Sequence, residues 1–430
     1  MIRNRTAILA LLTGLNFLNY IDRFIVAAVL PQIQDELKLS NFEAGLLASA
    51  FLIGYFATSP LFGARADKGA RKGLIALGVV IWSVATAGSG LATGLASLLA
   101  ARVFVGIGEA SYATLAPTII DDLTPPDKKG KALAVFYLAI PLGAAMGYLL
   151  GGYIGKHWGW RTAFFVAGGP GVVLALTCLL IVEPARKLRA AKGRLLDDLR
   201  TLKAIPLFRR AVLGYCAYTA AVGAFSYWAP KFLVERYPDY LDLASANFWF
   251  GATTIAAGAI GTIIGGQWAD RSQRTLPRVL EGTAHNLPEN QLGVNALLRI
   301  CAIGMMVAAP LAAVCFFMPT PPIFFGFVFV IEIGLFLSTS PVNAGMLRAV
   351  PTELRASAMA ASIFAIHLFG DLWSPPALGL LVDNFGITVA MISLAIAFGA
   401  SAMIWWPRSR EVGTLEPGLS GEGSLTVVKR

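Results

Sequence analysis

Six ionisable residues interrupt long apolar runs: Asp22, Arg23, Arg102, Glu109, Glu332 and Asp371. In hydrocarbon each would cost about 2.5–3.5 kcal/mol on insertion scales, so such groups persist only where they pair or border a wet space. A carboxylate beside an arginine keeps its charge, and one moved to a drier, unpaired setting takes up a proton. Asp22 and Glu109 are therefore candidates for proton exchange. Arg23 and Arg102 can hold an anionic headgroup through forked hydrogen bonds. This is chemistry without bond making. No nucleophile elbow, phosphate-binding loop or zinc pattern is present, and Gly106-Ile107-Gly108 lacks the strand that a dinucleotide fingerprint requires. No enzyme activity, cofactor or metal is expected.

Helix geometry orders these charges. If Asp22 lies 15 residues into an outgoing helix and Arg102 near the start of a returning one, the two sit at similar height and are expected to form an ion pair. Glu109, seven residues after Arg102, shares its face about 10.5 Å deeper. Arg23 points about 100° away from Asp22 but can reach the same space by its length. A fixed ion-pair network between two helices fits the same residues. Glu332 and Asp371 fit substrate contact and plain burial equally.

The elements that must position these groups are membrane spans. Of 430 residues, 56% are hydrophobic and 14% charged, whereas a soluble domain has about 25% charged residues. So few charges cannot cover a watery surface. A span takes roughly 20 apolar residues, and the chain has room for twelve. The pattern predicts helices at 7–30, 41–64, 73–93, 95–121, 131–153 and 161–182, then 209–235, 243–267, 296–318, 321–347, 356–381 and 384–406. The expected fold is an all-α membrane protein of two six-helix bundles, 1–182 and 209–406. A basic connector at 183–208 carries Leu195, Leu196, Leu199 and Leu202 at amphipathic spacing. The tail, 407–430, lacks a core pattern and is expected to be disordered. The first apolar run is too long for a cleavable signal.

With the N-terminus placed in the cytoplasm, cytoplasmic segments hold 28 of the 35 basic residues. Both termini are therefore expected inside, in a bacterial inner (plasma) membrane. The net charge of +10 then faces anionic lipid, and nothing suggests nucleic acid. The four cysteines read as buried small side chains, with no metal-ligand spacing.

The chain repeats itself. Gly63-Ala64-Arg65-Ala66-Asp67-Lys68 returns as Gly266-Gln267-Trp268-Ala269-Asp270-Arg271, 203 residues later. Glu109 and Pro117 return as Glu332 and Pro341 at offsets of 223 and 224, which places a polar insertion at 272–295. Two parallel six-helix halves put a solute site at their interface. Acids beside helix ends among arginines can hold helices together in one conformation and release them in another. Gly63, Asp67, Arg71, Asp270 and Arg271 are therefore gating candidates; simple charge signalling of topology is the plainer alternative. Gly143, Gly147, Gly151 and Gly155 recur every four residues and permit close helix packing. Tyr215, Tyr218, Tyr227 and Trp228 fit a pocket lining or packing, and His367 fits a second titrating group or a buried, hydrogen-bonded histidine.

The Gly-x-x-x-Asp loop with Arg71 and Lys72, together with Arg102, resembles the major facilitator superfamily over nearly the whole chain. Leu18-Asn19-Tyr20-Ile21-Asp22-Arg23 resembles several of its branches, including organic-anion symporters. Gly106-Ile107-Gly108-Glu109-Ala110-Ser111-Tyr112, followed by Ala116-Pro117-Thr118-Ile119-Ile120, is similar to the spinster branch. Lys68, where arginine is commoner, and the polar insertion depart from the pattern. The resemblance implies a transporter, associated with lysolipids and sphingosine-1-phosphate and in some members with protons, and it places Gly143 and Gly147 near a gating interface. The expected substrate contacts are Arg23, Arg102, Ser111, Trp228, Glu332 and Asn343. The expected partners are protons, membrane lipids and a small amphiphile moved by a monomer, with a small organic anion as the alternative cargo. A membrane enzyme or receptor would need a catalytic cluster or signalling element that the sequence lacks.

Overall fold

The computed structural model describes residues 2–66, 71–125, 128–183, 195–274, 288–351, 354–407, 414–416 and 426–428. Five helices build the first half: α1 (Arg5–Leu37), α2 (Asn41–Ala66), α3 (Arg71–Ser89), α4 (Leu95–Leu123) and α5 (Lys129–Leu179). α5 is two spans joined at Gly159, whose φ of 81° interrupts the helix. A short α6 (Leu195–Ala204) leads to α7 (Pro206–Arg236), α8 (Leu243–Arg274) and α9 (Pro288–Cys315). The tenth span is α10 (Pro321–Leu337) with α11 (Thr339–Arg348). The eleventh is α12 (Arg355–Ile366), a π-turn at His367–Asp371 and α13 (Ser374–Phe385). The twelfth is α14 (Ile387–Ile392) with α15 (Leu394–Trp405).

Among the described residues, ten helices are long and apolar enough to cross a membrane by length and composition. One of them, Lys131–Leu179, holds the fifth and sixth spans. α7 is 31 residues long, but Tyr215, Tyr218, Tyr227 and Trp228 dilute its apolar character. Counting both arms of α5 and adding α7 gives twelve spans. Side chains such as Leu77, Val84, Leu91, Phe104, Ile263, Ile396 and Met403 are more than half exposed. Apolar exposure on this scale suits lipid, not water.

The halves repeat in their backbones. A Cβ on Gly78 would lie 2.6 Å from the Gly108 carbonyl oxygen, and one on Gly108 would lie 2.5 Å from that of Gly78. Gly304 and Gly334, each 226 residues later, face each other in the same reciprocal way, at 2.4 and 2.7 Å. The joints repeat too: Gly159 has φ 81° and ψ 161°, and Gly386 has φ 79° and ψ 160°. Only glycine adopts such backbone readily. Gly108 and Gly334 thus set a register of 226, three residues from the one that pairs Glu109 with Glu332. The two acids are therefore not equivalent in the fold.

Glycines also explain how α4 is seated. A Cβ on Gly106 would be 2.0 Å from the Phe51 carbonyl oxygen of α2, and one on Gly54 would be 2.2 Å from that of Val103. α4 therefore lies backbone to backbone with α2 and α3. Gly106→Ala must push those backbones apart. Overpacking of this kind costs about 1–3 kcal/mol, and we expect a lowered thermal unfolding midpoint in detergent, with Gly14→Ala, whose Cβ meets nothing within 4 Å, unchanged.

The chain starts and the first half ends at one face of the bundle: Ile2 pairs with Ile181. We call this the terminal face and its opposite the far face. α6 packs there, with Leu202 buried and Asp198 accepting a 2.7 Å hydrogen bond from Ser357. The connector at 184–194 and most of the insertion, 275–287, lie outside the described residues. The insertion's flanks are helical, since α8 runs to Arg274 and α9 starts at Pro288. In the tail, Thr414–Glu416 pairs antiparallel with Thr426–Val428 where no structure was expected. Three backbone pairings form this ladder.

Candidate functional site

The halves are joined at the far face. Gly45 of α2 sits where a Cβ would be 2.5 Å from Pro376 Cα, and a Cβ on Gly379 of α13 would be 2.2 Å from the Asn41 carbonyl oxygen. Asp383 reaches across to cap α2: the Asn41 and Phe42 backbone N–H groups each donate to it at 2.9 Å, and Asn41 Nδ2 at 2.7 Å. A carboxylate there satisfies orphan donors and faces the positive end of the helix dipole. Lys231 Nζ donates to Gln34 and Asn41 at 2.7 Å each. Tyr227 donates to the Ala44 carbonyl, Tyr148 to that of Ser226, and Asn247 to that of Ala28. These contacts lie on the far portions of α1, α2, α5, α7, α8 and α13.

One more far-face link crosses the halves: Lys156 Nζ donates to Asp242 at 2.6 Å. The Lys156 hydrogen bond, with that of the Ser245 backbone N–H, holds the Asp242 carboxyl down at about 2. A depressed carboxyl contributes above its ordinary range, near 3.9, and loses that contribution as pH falls through about 2. The link therefore keeps its charge from pH 5 to 8. We expect Lys156→Gln to leave any pH response of the conformational equilibrium in that window unchanged.

On the terminal-face side of this seam lie the buried charges of the first half. Arg23 Nε donates to Glu109 at 2.7 Å, with side-chain exposures of 20% and 0%. Rings of Tyr20, Phe51 and Tyr55 surround the Arg23 guanidinium at 4.8–5.3 Å. These aromatic neighbours were not foreseen; they sit one turn from Arg23 on α1 and on the facing turns of α2. The expected Asp22–Arg102 ion pair does not form among the described residues. Asp22 turns toward α3, where Thr86 donates at 3.3 Å, and its Oδ1 has no partner. The Arg102 guanidinium lies 5.1 Å over the Phe51 ring, with Nε and Nη1 unpartnered. Glu109 meets α1 through the long side chain of Arg23, and Arg102 takes neither acid as an ion-pair partner among the described residues.

Other candidates fall elsewhere. Ser111 is buried and donates to the Leu74 carbonyl at 2.7 Å, closing the α3–α4 packing. Trp228 is fully buried and donates to the Pro375 carbonyl at 2.9 Å. Both were expected to touch substrate; here each donates to a backbone carbonyl. Tyr215 and Tyr218 stack near Trp405, so the aromatic stripe is packing. Glu332 is buried, accepts from Thr254 at 2.8 Å and leaves Oε2 unpartnered. Asn343 donates to Thr339 of its own helix at 2.8 Å.

Gly143 and Gly147 seat α5 on α1: added Cβ atoms would be 2.6 Å from the Phe17 oxygen and 2.9 Å from the Ile21 oxygen. Their contact is within one half, and the α5 glycines that meet the other half are Gly152, beside Asn247, and Gly155, beside Leu243. Arg71 ties α3 to α4 through Asp122 at 2.7 Å and Thr118 at 3.1 Å, again within one half. A Cβ on Gly63 would be 3.9 Å from Thr114, ordinary contact, so no close approach requires glycine there. Asp67 lies outside the described residues. Asp270 and Arg271 are exposed at the end of α8, where Arg271 helps line a cleft of about 610 Å³ with Trp268 and Ser272.

Comparison with known proteins gives this architecture its place. The Major Facilitator Superfamily model matches residues 12–370. The human protein spinster homolog 1 is 33% identical over 404 residues, covering 88% of this chain and 73% of that one. The probable sphingolipid transporter spinster homolog 3 of Arabidopsis thaliana is 31% identical, covering 91% and 82%. A bacterial homologue of the human lysosomal transporter spinster, solved inward-facing and unoccupied, superposes with a TM-score of 0.80 at 22% identity over 94% of this chain and 96% of that one. The chain is a multi-pass membrane transporter, not an enzyme, and belongs to the spinster branch of the major facilitator superfamily.

Proposed function

We propose that this transporter moves an amphiphilic anionic lipid, of the lysophospholipid or sphingosine-1-phosphate kind, by alternating access coupled to protons. The observation that carries the reading is the arrangement of Arg23, Glu109, Asp22 and Arg102 on the terminal-face side of a tightly packed far seam. Arg102 has unpartnered donors for a phosphate. Arg23 can trade Glu109 for that phosphate, since both accept forked hydrogen bonds. Aromatic side chains such as Phe56 and Phe364, whose rings meet 5.6 Å apart from opposite halves, suit an acyl tail. Asp22 is the carboxylate a proton can occupy without breaking an ion pair. The name of the Arabidopsis thaliana relative, a probable sphingolipid transporter, supports this class of cargo. The basic bias supports a terminal face on the cytoplasmic side of a bacterial inner membrane.

Uptake of labelled lysophosphatidylglycerol and sphingosine-1-phosphate into proteoliposomes tests the reading. Saturable flux that rises with an imposed pH gradient is expected. Absence of saturable flux for both lipids, with flux of a labelled sugar acid instead, would transfer the proposal to a small organic anion.

A further inference from the structure

The second half carries an acid–base pair of its own. His367 Nδ1 lies 2.9 Å from both carboxylate oxygens of Asp371. The two residues bound a π-turn, closed by the Leu372 N–H donating to the His367 carbonyl at 3.0 Å. Such insertions concentrate at functional sites. Its cause is in the sequence. Pro375 and Pro376 have no N–H, so the helix cannot close on the carbonyls of residues 371 and 372. Ser49 of α2 donates to the Leu372 carbonyl instead, at 2.5 Å. Room for the acid comes from Gly223 of α7, where a Cβ would be 2.5 Å from Asp371 Cβ.

This pair is wetter than the first. The side chains of His367 and Asp371 are 28% and 21% exposed, whereas Asp22 and Glu109 are buried, at 1% and 0%. The His367 ring also bridges the halves: it lies 5.5 Å from the Phe56 ring of α2. The titratable groups that feel Asp371 from the packed elements are Tyr20 of α1 and Cys216 of α7. α2 adds Tyr55, which faces the Arg23 guanidinium.

We propose that His367 and Asp371 form a second proton-binding site whose charge state sets how tightly span 11 holds α2. With a proton the pair is imidazolium and carboxylate, neutral overall, and the cation faces an aromatic ring within the roughly 6 Å over which that attraction acts. Without it the pair carries one negative charge and the ring contact loses its electrostatic part. Protonation therefore favours the conformation seen here, with the far seam closed. The proposal rests on alternating access but not on the identity of the cargo.

The test needs no cargo. The chain has three histidines, His157, His285 and His367, so ¹⁵N-histidine spectra of the full protein in nanodiscs are assignable with His367→Gln. His367 is expected to gain a proton on acidification in these spectra, at a midpoint that Asp371→Asn changes. Spin labels at exposed Lys131 and Arg274, on the terminal-face ends of α5 and α8, report the two forms. In wild type the far-closed form is expected to gain roughly twofold to tenfold over the other at pH 5.5 relative to pH 8, and both His367→Gln and Phe56→Leu to reduce that gain. A histidine that does not titrate, a midpoint indifferent to Asp371→Asn, or a pH response unchanged in both variants would each overturn the proposal. Lipid flux fails or succeeds independently of these readings.

Discussion

Replacing Asp22 with asparagine is expected to abolish pH-driven accumulation while sparing exchange. Asparagine keeps the shape and can still accept the Thr86 hydrogen bond, so the fold has little to lose. It cannot carry a proton. One proton per cycle across a gradient of one pH unit supports about tenfold accumulation, the equivalent of about 1.4 kcal/mol. Wild-type proteoliposomes should approach that ratio with labelled lysophosphatidylglycerol, and Asp22→Asn should stay near unity. Counterflow at equal pH should persist in the variant. Tenfold accumulation by Asp22→Asn would remove Asp22 from the coupling. Glu109→Gln serves as the contrast. It frees Arg23 from its only ion pair among the described residues, so we expect altered lipid affinity before altered coupling.

A methyl group at Gly379 is expected to open the far seam. Its Cβ would lie 2.2 Å from the Asn41 carbonyl oxygen and 2.6 Å from the Asn41 carbonyl carbon, backbone atoms that a rotamer change cannot move. The clash exists only when the halves are closed there, so it penalises one conformation more than the fold. At about 1–3 kcal/mol the far-closed population should fall roughly 5- to 150-fold against the alternative. Asp383→Ala removes three hydrogen bonds from the same place and should act in the same direction with the smaller effect of a lost cap, about 0.5–2 kcal/mol. Spin-label distances across the far ends of α2 and α13 measure both. Unchanged distances in Gly379→Ala would mean that the seam is not what holds this form.

Much of this was legible because membrane physics leaves few solutions. Twelve apolar stretches, a duplicated loop and a basic bias lead to two six-helix halves without further information. Buried charge also announced itself, since Asp22, Arg23, Arg102 and Glu109 are conspicuous in hydrocarbon. Which partner each would take was not legible. Residue height can be read from helix rise, but the reach of Arg23 and the turn of Asp22 toward Thr86 depend on how three helices approach. That approach is set by Gly54, Gly78, Gly106 and Gly108, whose effect appears only in three dimensions. The same limit explains Gly143 and Gly147. A four-residue stripe predicts close packing but not against which neighbour, and the neighbour is α1. Ser111 and Trp228 looked able to bind substrate by residue type, yet each had a backbone carbonyl to satisfy nearby. Asp383 and Lys231 carry no distinguishing signal in the sequence, and only the packing at the far face brings them onto α2.

The central claim is that a space open toward the terminal face, and closed at the far face, borders the charged cluster. A Phe56→Cys thiol probes it most directly, because Phe56 is half-buried where the halves meet. The four native cysteines are buried and can be replaced beforehand. In sealed vesicles of known orientation, a membrane-impermeant maleimide should label the Phe56→Cys thiol from the terminal face, and from the far face only when Gly379→Ala is added. A thiol that stays unreactive from both faces, with or without Gly379→Ala, would contradict the account.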